Sequence, residues 1–361
     1  MRPGSVARIL HDLSIYIRAC DLRDAPLELS VLGDIPSIEA LAPEWDALLD
    51  RTGCNRAFGS AAFYLATARA FAVAPRPIAA RRAGRLIGLF PLFATSSGLG
   101  FLRDFADHKD MLVEPGDEAA ARALLLRALD EAGGGSLVLR NLHERSTCAR
   151  LVAGLHELGC SATRLADVPS YQARLPPGEA AYAAALGHNL RATLRRALRR
   201  AAERGVTIAE LHPGACDPAE LPDLFLRLHA ERLGPDTILT RDVGRAFLRA
   251  ALPPLFAQRR LRVMALHDGE RVIAIDLCMV GATSLCTWNT GFLADAAPLS
   301  PGHLLFNAEL DLARSLGLAE LDFLSGDQPY KVRWANASSR ITAFEVVRPA
   351  PAVGRGTEPV R

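Results

Sequence analysis

Two stretches of this chain hold residues of the right type and spacing to do chemistry. In the first, Trp288-Asn289-Thr290 ends a strand-like run, and after a loop Ser300-Pro301-Gly302-His303-Leu304-Leu305 opens a helical pattern. Proline suits a first helical turn, and glycine lets a ligand approach the backbone. The unpaired N–H groups of such a turn, at the positive end of the helix dipole, can hold a phosphate. An ordinary helix start would read the same from the tripeptide alone. The second stretch, Leu321-Asp322-Phe323-Leu324-Ser325-Gly326-Asp327-Gln328-Pro329-Tyr330-Lys331-Val332-Arg333-Trp334, places Asp322, Tyr330, Lys331 and Arg333 just past a short apolar strand. A structural loop is the plain alternative, but loops that follow strands often carry function. Asp276 interrupts an apolar strand with Ala274 and Cys278 on its face. Desolvation there raises a carboxylate's pKa, which suits a general base; a partnered structural aspartate fits the same pattern.

The lysine count adds to this. Of 42 basic residues only Lys109 and Lys331 are lysine, and the rest are arginine. Where a coding bias removes lysine, a surviving one marks a place where a compact ammonium serves and a planar guanidinium does not. Opposing charges of 42 and 40 leave a net charge of +2, so no general basic surface argues for nucleic acid. The longest apolar stretch, 86–94, is too short for a membrane helix, and no signal peptide is visible near Arg2 and Arg8. Seven scattered cysteines contain no C-x-x-C pair, which points away from disulfides and zinc and toward a reducing cytoplasm. No phosphate-loop, dinucleotide-loop, H-E-x-x-H or G-x-S-x-G motif is present, and single scattered histidines give metal catalysis little support.

The elements that position these residues alternate between strand and helix, which predicts an α/β (α+β) sheet protein. In the first half the pattern predicts a strand over 27–35, a helix capped by Ser37 and carrying Trp45, and a helix over 60–71. A hairpin over 77–94, a helix over 117–132 and a strand at 137–139 follow. The second half repeats this order, with a helix over 217–233, a hairpin over 261–280, a strand over 285–290, a helix over 301–316 and a strand at 321–323. Gly84 and Gly269 are 185 residues apart, Pro115-Gly116 and Pro301-Gly302 are 186 apart, and Gly133 and Gly317 are 184 apart, which suggests an ancient duplication. The expected units are a flexible tail at 1–26, domains at 27–168 and 169–348, and a second flexible tail at 349–361.

The copies differ at the Pro-Gly junction. The first continues with Asp117 and Glu118, which stabilise the helix themselves and repel an anion; the second has no acid until Glu309. By sign of charge, the anion site belongs to the second copy. A basic helix over 189–204, with Arg191 and Arg195, is either a solvated face or a cradle for an anionic substrate or acidic partner.

The run from Ser300-Pro301-Gly302 through Leu321-Asp322-Phe323 and Gly326 to Tyr330-Lys331-Val332-Arg333-Trp334 resembles the acetyltransferase family named after the cellulose-biosynthesis protein CelD. That family lies within the GNAT superfamily and is akin to the Fem transferases, which carry two tandem GNAT-like domains. The likeness covers 187–347 well and 36–165 more weakly. It implies two tandem GNAT-like domains, each a mixed, mostly antiparallel sheet flanked by helices, the first a degenerate copy. It implies acetyl-CoA or another acyl-CoA as co-substrate and no metal. The pyrophosphate would lie at Ser300, Gly302, His303, Leu304 and Leu305, and the pantetheine along Trp288, Asn289 and Thr290. A backbone N–H near Trp288 or Asn289, with Lys331, would meet the oxyanion, and Tyr330 would protonate the thiolate. In the Fem relatives a lysine matching Lys331 is linked to transfer; Asp276, the proposed base, has no clear family counterpart. Asp322, Arg333, Arg191 and Arg195 are the substrate-binding candidates. The expected reaction is acyl transfer to an amine of a small molecule or cell-envelope glycan precursor. The expected protein is a cytoplasmic monomer or homodimer that binds no nucleic acid, with room for peripheral envelope association. The alternatives are a Fem-like aminoacyl-tRNA-dependent peptidyltransferase and a non-catalytic binding protein of exopolysaccharide assembly.

Overall fold

The structure, a computed structural model, describes residues 25–348 except 177–181 and 183–185. Residues 1–24 and 349–361, the bulk of the two expected tails, lie outside the described residues. The first half runs β1 (Leu27–Val31), α1 (Ile35–Leu49), α2 (Ala61–Ala70), β2 (Ile78–Arg82), β3 (Arg85–Phe90), β4 (Phe93–Thr95), β5 (Gly98–Gly100), β6 (Leu112–Val113), α3 (Glu118–Glu131), β7 (Ser136–His143), α4 (Thr147–Ala153) and β8 (Ser161–Arg174). The second runs α5 (His188–Glu203), β9 (Val206–Leu211), α6 (Leu221–Leu233), α7 (Asp242–Ala257), β10 (Leu261–Asp268), β11 (Arg271–Val280), β12 (Ser284–Phe292), α8 (Pro301–Ser315), β13 (Glu320–Ser325), α9 (Pro329–Trp334) and β14 (Ala337–Val347). From β1 and from β9 onward the elements follow one order, except that β4, β5 and β6 stand where the second half has β12 alone. The tandem architecture is therefore visible in the fold.

The sheets do not divide where the halves do. Strands β1-β2-β3-β6 form a four-stranded sheet, and β4-β5-β7-β14-β8-β13-β12-β11-β10-β9 form a ten-stranded one. All neighbours are antiparallel except β5 with β7 and β12 with β13. The last strand of each copy pairs with the other copy: β14 lies between β7 and β8, and β8 pairs with β13. β8 thus runs unbroken across the expected boundary at 168 and 169. The single strand β12 has two counterparts in the first half, β5 and β6, with segment 101–111 between them. That segment leaves its own sheets and reaches the second half.

Several elements differ from the sequence expectation for local reasons. Asp34, not Ser37, caps α1: its carboxylate accepts from the Ser37 N–H at 2.8 Å, and the helix takes in Ile35 and Pro36, which shortens β1 to Val31. Helix α7 forms despite Pro253 and Pro254, which sit in its last turn and a half. Strands β8 and β14 were not anticipated, nor were β9 and α4. The apolar core is continuous across the halves. Phe58, Phe63 and Ala66 of the first copy pack with Phe225, Phe247 and Leu248 of the second, and the Phe63 and Phe247 rings lie 5.0 Å apart. Among the described residues no helix is long and apolar enough to cross a membrane.

Candidate active site at the junction of the two halves

The site grows from the point where two parallel strands part. β12 and β13 pair only over Ser284–Cys286 and Glu320–Asp322. Beyond that β12 follows β11 to Phe292, while β13 turns away: Leu324 adopts φ +60, its N–H bonded to the Asp322 carboxylate at 2.7 Å. A gap therefore opens between Trp288–Thr290 and Phe323–Ser325. Segment 105–107 of the first half bridges it. Trp288 Nε1 donates to the Phe105 carbonyl at 3.0 Å, and Ser325 Oγ donates to the Asp107 carboxylate at 3.1 Å.

Helix α8 begins at the end of β12's connection. Ser300, at φ +59, caps it by backbone alone, and its hydroxyl accepts from Arg200 of the basic helix α5 at 3.2 Å. No acid lies in the first turn, and a side chain added at Gly302 would meet open space. The equivalent helix of the first half is occupied by its own residues. Asp117 accepts from the Ala120 N–H at 3.0 Å and pairs with Arg82 at 2.7 Å. At α8 the Leu304 and Leu305 side chains lie in the core, so they offer a ligand only their backbone. His303 accepts from Trp334 Nε1 at 3.1 Å and, chiefly through burial, has a lowered pKa.

Lys331 and Tyr330 face this gap from α9. The Lys331 ammonium is buried and donates to the Leu324 carbonyl at 3.3 Å and to the Ser325 carbonyl. Burial lowers its pKa against the opposing pull of Asp107 and Asp322. Tyr330 is partly exposed and stacks on Phe306 at 5.5 Å; burial, then the charge of Asp276, pushes its phenol up.

Asp276 corrects the sequence reading in one respect. It is wholly enclosed, so its carboxylate cannot touch an amine in the gap. Thr290 Oγ1 donates to it at 2.7 Å, and on its other side lies the equally enclosed Glu309 of α8. Burial raises both carboxyl groups, Glu309 well above the usual range; the charge of Asp276 raises Glu309 further, while the hydrogen bonds from Thr290 and Glu309 draw Asp276 back down. Their ligand atoms and the Cys278 sulfur lie within 4.8 Å of one another, a set able to hold a metal ion. One shared proton satisfies the two carboxyl groups equally well.

A second polar cluster was not read from the sequence. Asp322 is buried, accepting from Ser170 Oγ at 3.3 Å and Gln172 Nε2 at 3.2 Å, and His108 Nε2 stands 3.6 Å from it. His143 lies beside His108, ring to ring at 5.2 Å, and burial pushes its pKa down to about 4. This group forms one end of a cavity of about 500 Å³ between the halves, which extends past Pro115-Gly116 and the turn before β12. Asp322 is thus an internal anchor that also faces a ligand-sized space. Arg195 and Arg333 are exposed, while Arg191 is half-buried on α5.

Residues 188–332 match the family described as Acetyltransferase (GNAT) domain. No curated protein matches the chain. Among solved structures it is similar to FemX, at 13% identity over 88% of this chain and 96% of that one, with a TM-score of 0.65. It is also similar to a conserved protein of unknown function from Bacteroides thetaiotaomicron, at 13% identity, 89% and 100% coverage and a TM-score of 0.60. L-PGS from Bacillus licheniformis follows at 13% identity, 84% and 90% coverage and a TM-score of 0.59. The fold is a GNAT acyltransferase fold. In GNAT terms, β12 and β13 are the splayed parallel pair, and α8 is the helix that opens at the splay. Asp322, which lines the cavity, accepts from the N–H of Leu324, whose carbonyl helps to hold Lys331.

Proposed function

We propose that this protein transfers an acyl group, acetyl in the first instance, from acyl-CoA to an amine of a small molecule or cell-envelope glycan precursor. The observation that carries this reading is the contrast between two equivalent helix starts. At α3 the first-turn donors already meet Asp117; at α8 they are free of acid, open at Gly302 and flanked by Arg200. Such a turn suits a diphosphate. The pantetheine arm fits along the Trp288–Thr290 edge, which brings the thioester toward Lys331 and Tyr330.

Neutral amine attacks the thioester carbonyl; the C–N bond forms as the C–S bond breaks. The developing oxyanion is met by a backbone N–H of β12 and by the Lys331 ammonium, a donor held in place by two carbonyls. Tyr330, kept protonated by its raised pKa, supplies the proton to the departing thiolate and regains one from the new amide nitrogen. Asp276 acts only at one remove, through the Thr290 hydroxyl. The residues that serve the donor come from β12, α8 and α9, all in the segment that matches the GNAT family.

The experiment is thermal melting with acetyl-CoA. At one hundred times its dissociation constant the ligand stabilises the parent by about 2.7 kcal/mol. Gly302→Asp, which meets open space and so keeps the fold, abolishes the shift by placing a carboxylate against the phosphate. Gly116→Asp in the first half leaves it intact. A Gly302→Asp variant that binds CoA as well as the parent removes this reading.

A further inference from the structure

The cavity between the halves is lined by carboxylates on both copies and by two arginines, Arg145 and Arg150, on α4 and the turn before it. Of the first-half acids, Asp110 caps α4 by accepting from the Thr147 and Cys148 N–H groups, Glu114 pairs with Arg51 and Arg85, and Asp117 pairs with Arg82, while Glu118 is exposed. Glu320, 3.7 Å from Arg174, and Asp322 are the carboxylates that β13 supplies. His108 stands beside Asp322. It is nearly enclosed and held at φ +49, and its Nε2 makes no hydrogen bond but faces Asp322. That contact assigns the ring proton to Nε2 and leaves Nδ1 as the nitrogen able to take another. The partners of Asp322 (Ser170, Gln172 and the Leu324 N–H) fix the carboxylate, so the imidazole is oriented by a rigid anion. Neighbouring His143 stays neutral near pH 7 and adds no repulsion.

We propose that this cavity is the acceptor site for a primary amine that also carries an anionic group such as a phosphate, and that His108 takes the amine's proton. This rests on the acyl-transfer reading for its chemistry, though not for its binding. The ammonium sits at Glu320 and Asp322, and the anion lies toward Arg145 and Arg150. Nδ1 of His108 accepts one proton from the ammonium, which gives a neutral amine and an imidazolium facing Asp322. The amine lone pair then forms the C–N bond as the C–S bond breaks. The second amine proton passes to the thiolate by way of Tyr330, and the imidazolium releases its proton to water. In this arrangement the first half is the acceptor half.

Binding is measured by calorimetry on the full chain without any donor. The probes are O-phosphoethanolamine and glucosamine 6-phosphate, each compared with its N-acetylated and its dephosphorylated form. At least one phosphate-bearing amine binds, and removal of either charge weakens it about tenfold or more. Glu320→Gln produces a similar loss. So does Gly53→Trp, which adds bulk to the cavity wall where a side chain meets nothing within 4 Å. CoA affinity is unchanged in both variants. With acetyl-CoA present, His108→Asn, whose side chain tolerates the left-handed backbone, lowers kcat by about a hundredfold or more and leaves the amine KM within about threefold. The proposal is overturned if neither phosphate-bearing amine binds, if the N-acetylated forms bind equally well, if Gly53→Trp changes nothing, or if His108→Asn retains parental turnover. A parent that binds these amines and not CoA keeps the cavity assignment and removes the donor reading instead.

Discussion

Dividing the chain between β8 and α5 separates the two copies without touching any proposed site residue, and the exchanged strands dictate the result. The first piece keeps β7 and β8 but loses β14, which lies between them; the second keeps β13 and β14 but loses both of their outer partners. The register of β14 against β8 runs for eleven residue pairs, from Ala337 opposite Gln172 to Val347 opposite Ser161. At about one hydrogen bond per pair and about 1 kcal/mol net for each, this pairing alone is worth about 10 kcal/mol. A whole domain is stable by only about 5–15 kcal/mol. Neither piece should therefore hold its fold alone, and each should expose long unpaired strands prone to self-association. Expressed together, the pieces should co-purify and melt in one cooperative transition near that of the intact chain. The assay is size-exclusion chromatography with thermal melting on single and co-expressed pieces. A monomeric single piece with a cooperative melt close to the parent's would refute the reasoning.

Three further outcomes are expected. Lys331→Met should leave CoA affinity within about threefold while turnover falls by about a hundredfold, the scale of losing one oxyanion donor; parental turnover would remove the ammonium from the mechanism. The fold raises the pKa of Asp276 and Glu309, so it binds their proton more tightly than the unfolded chain does. That stability is complete at acid pH and is lost as pH rises from the ordinary carboxylate range toward and through neutrality; Asp276→Asn should flatten this slope in urea titrations run across pH. Trp45→Phe removes the donor that Nε1 supplies to the Gly59 carbonyl at 2.8 Å in a sealed site, and should cost about 1–3 kcal/mol by chemical denaturation.

The order of elements was legible because most of the core-forming segments carry their own period, and helix ends such as Gly317 announce themselves with a left-handed glycine. Asp276 was legible as a desolvated carboxylate because its neighbours Ala274 and Cys278 are apolar. Glu309 carried a signal that went unread: it stands four residues after Leu305 and three before Leu312, on the buried stripe of α8. Strands β8 and β14 gave little sign, since their burial depends on partners nearly two hundred residues away. Most of β8 is exposed on its side chains and apolar alternation never develops. The approach of His108 to Asp322 likewise has no local trace, because segment 101–111 is irregular and its role comes from closure between copies. Its one marker was Lys109, the second of two lysines. Lys109 is buried, salt-bridged to Asp104 at 2.6 Å and donating to the Leu102 carbonyl, and so pins that segment in place.

Both lysines of the chain are sealed inside it, each with its ammonium set against backbone carbonyls. The outer surface is left to guanidinium groups, which stay protonated and are poor nucleophiles at physiological pH. Thioesters slowly acylate any lysine they can reach, so an enzyme steeped in its own activated donor would ordinarily accumulate such adducts. This chain offers them no lysine amine at its surface, and incubation with excess acetyl-CoA should leave Lys109 unmodified for as long as the fold persists.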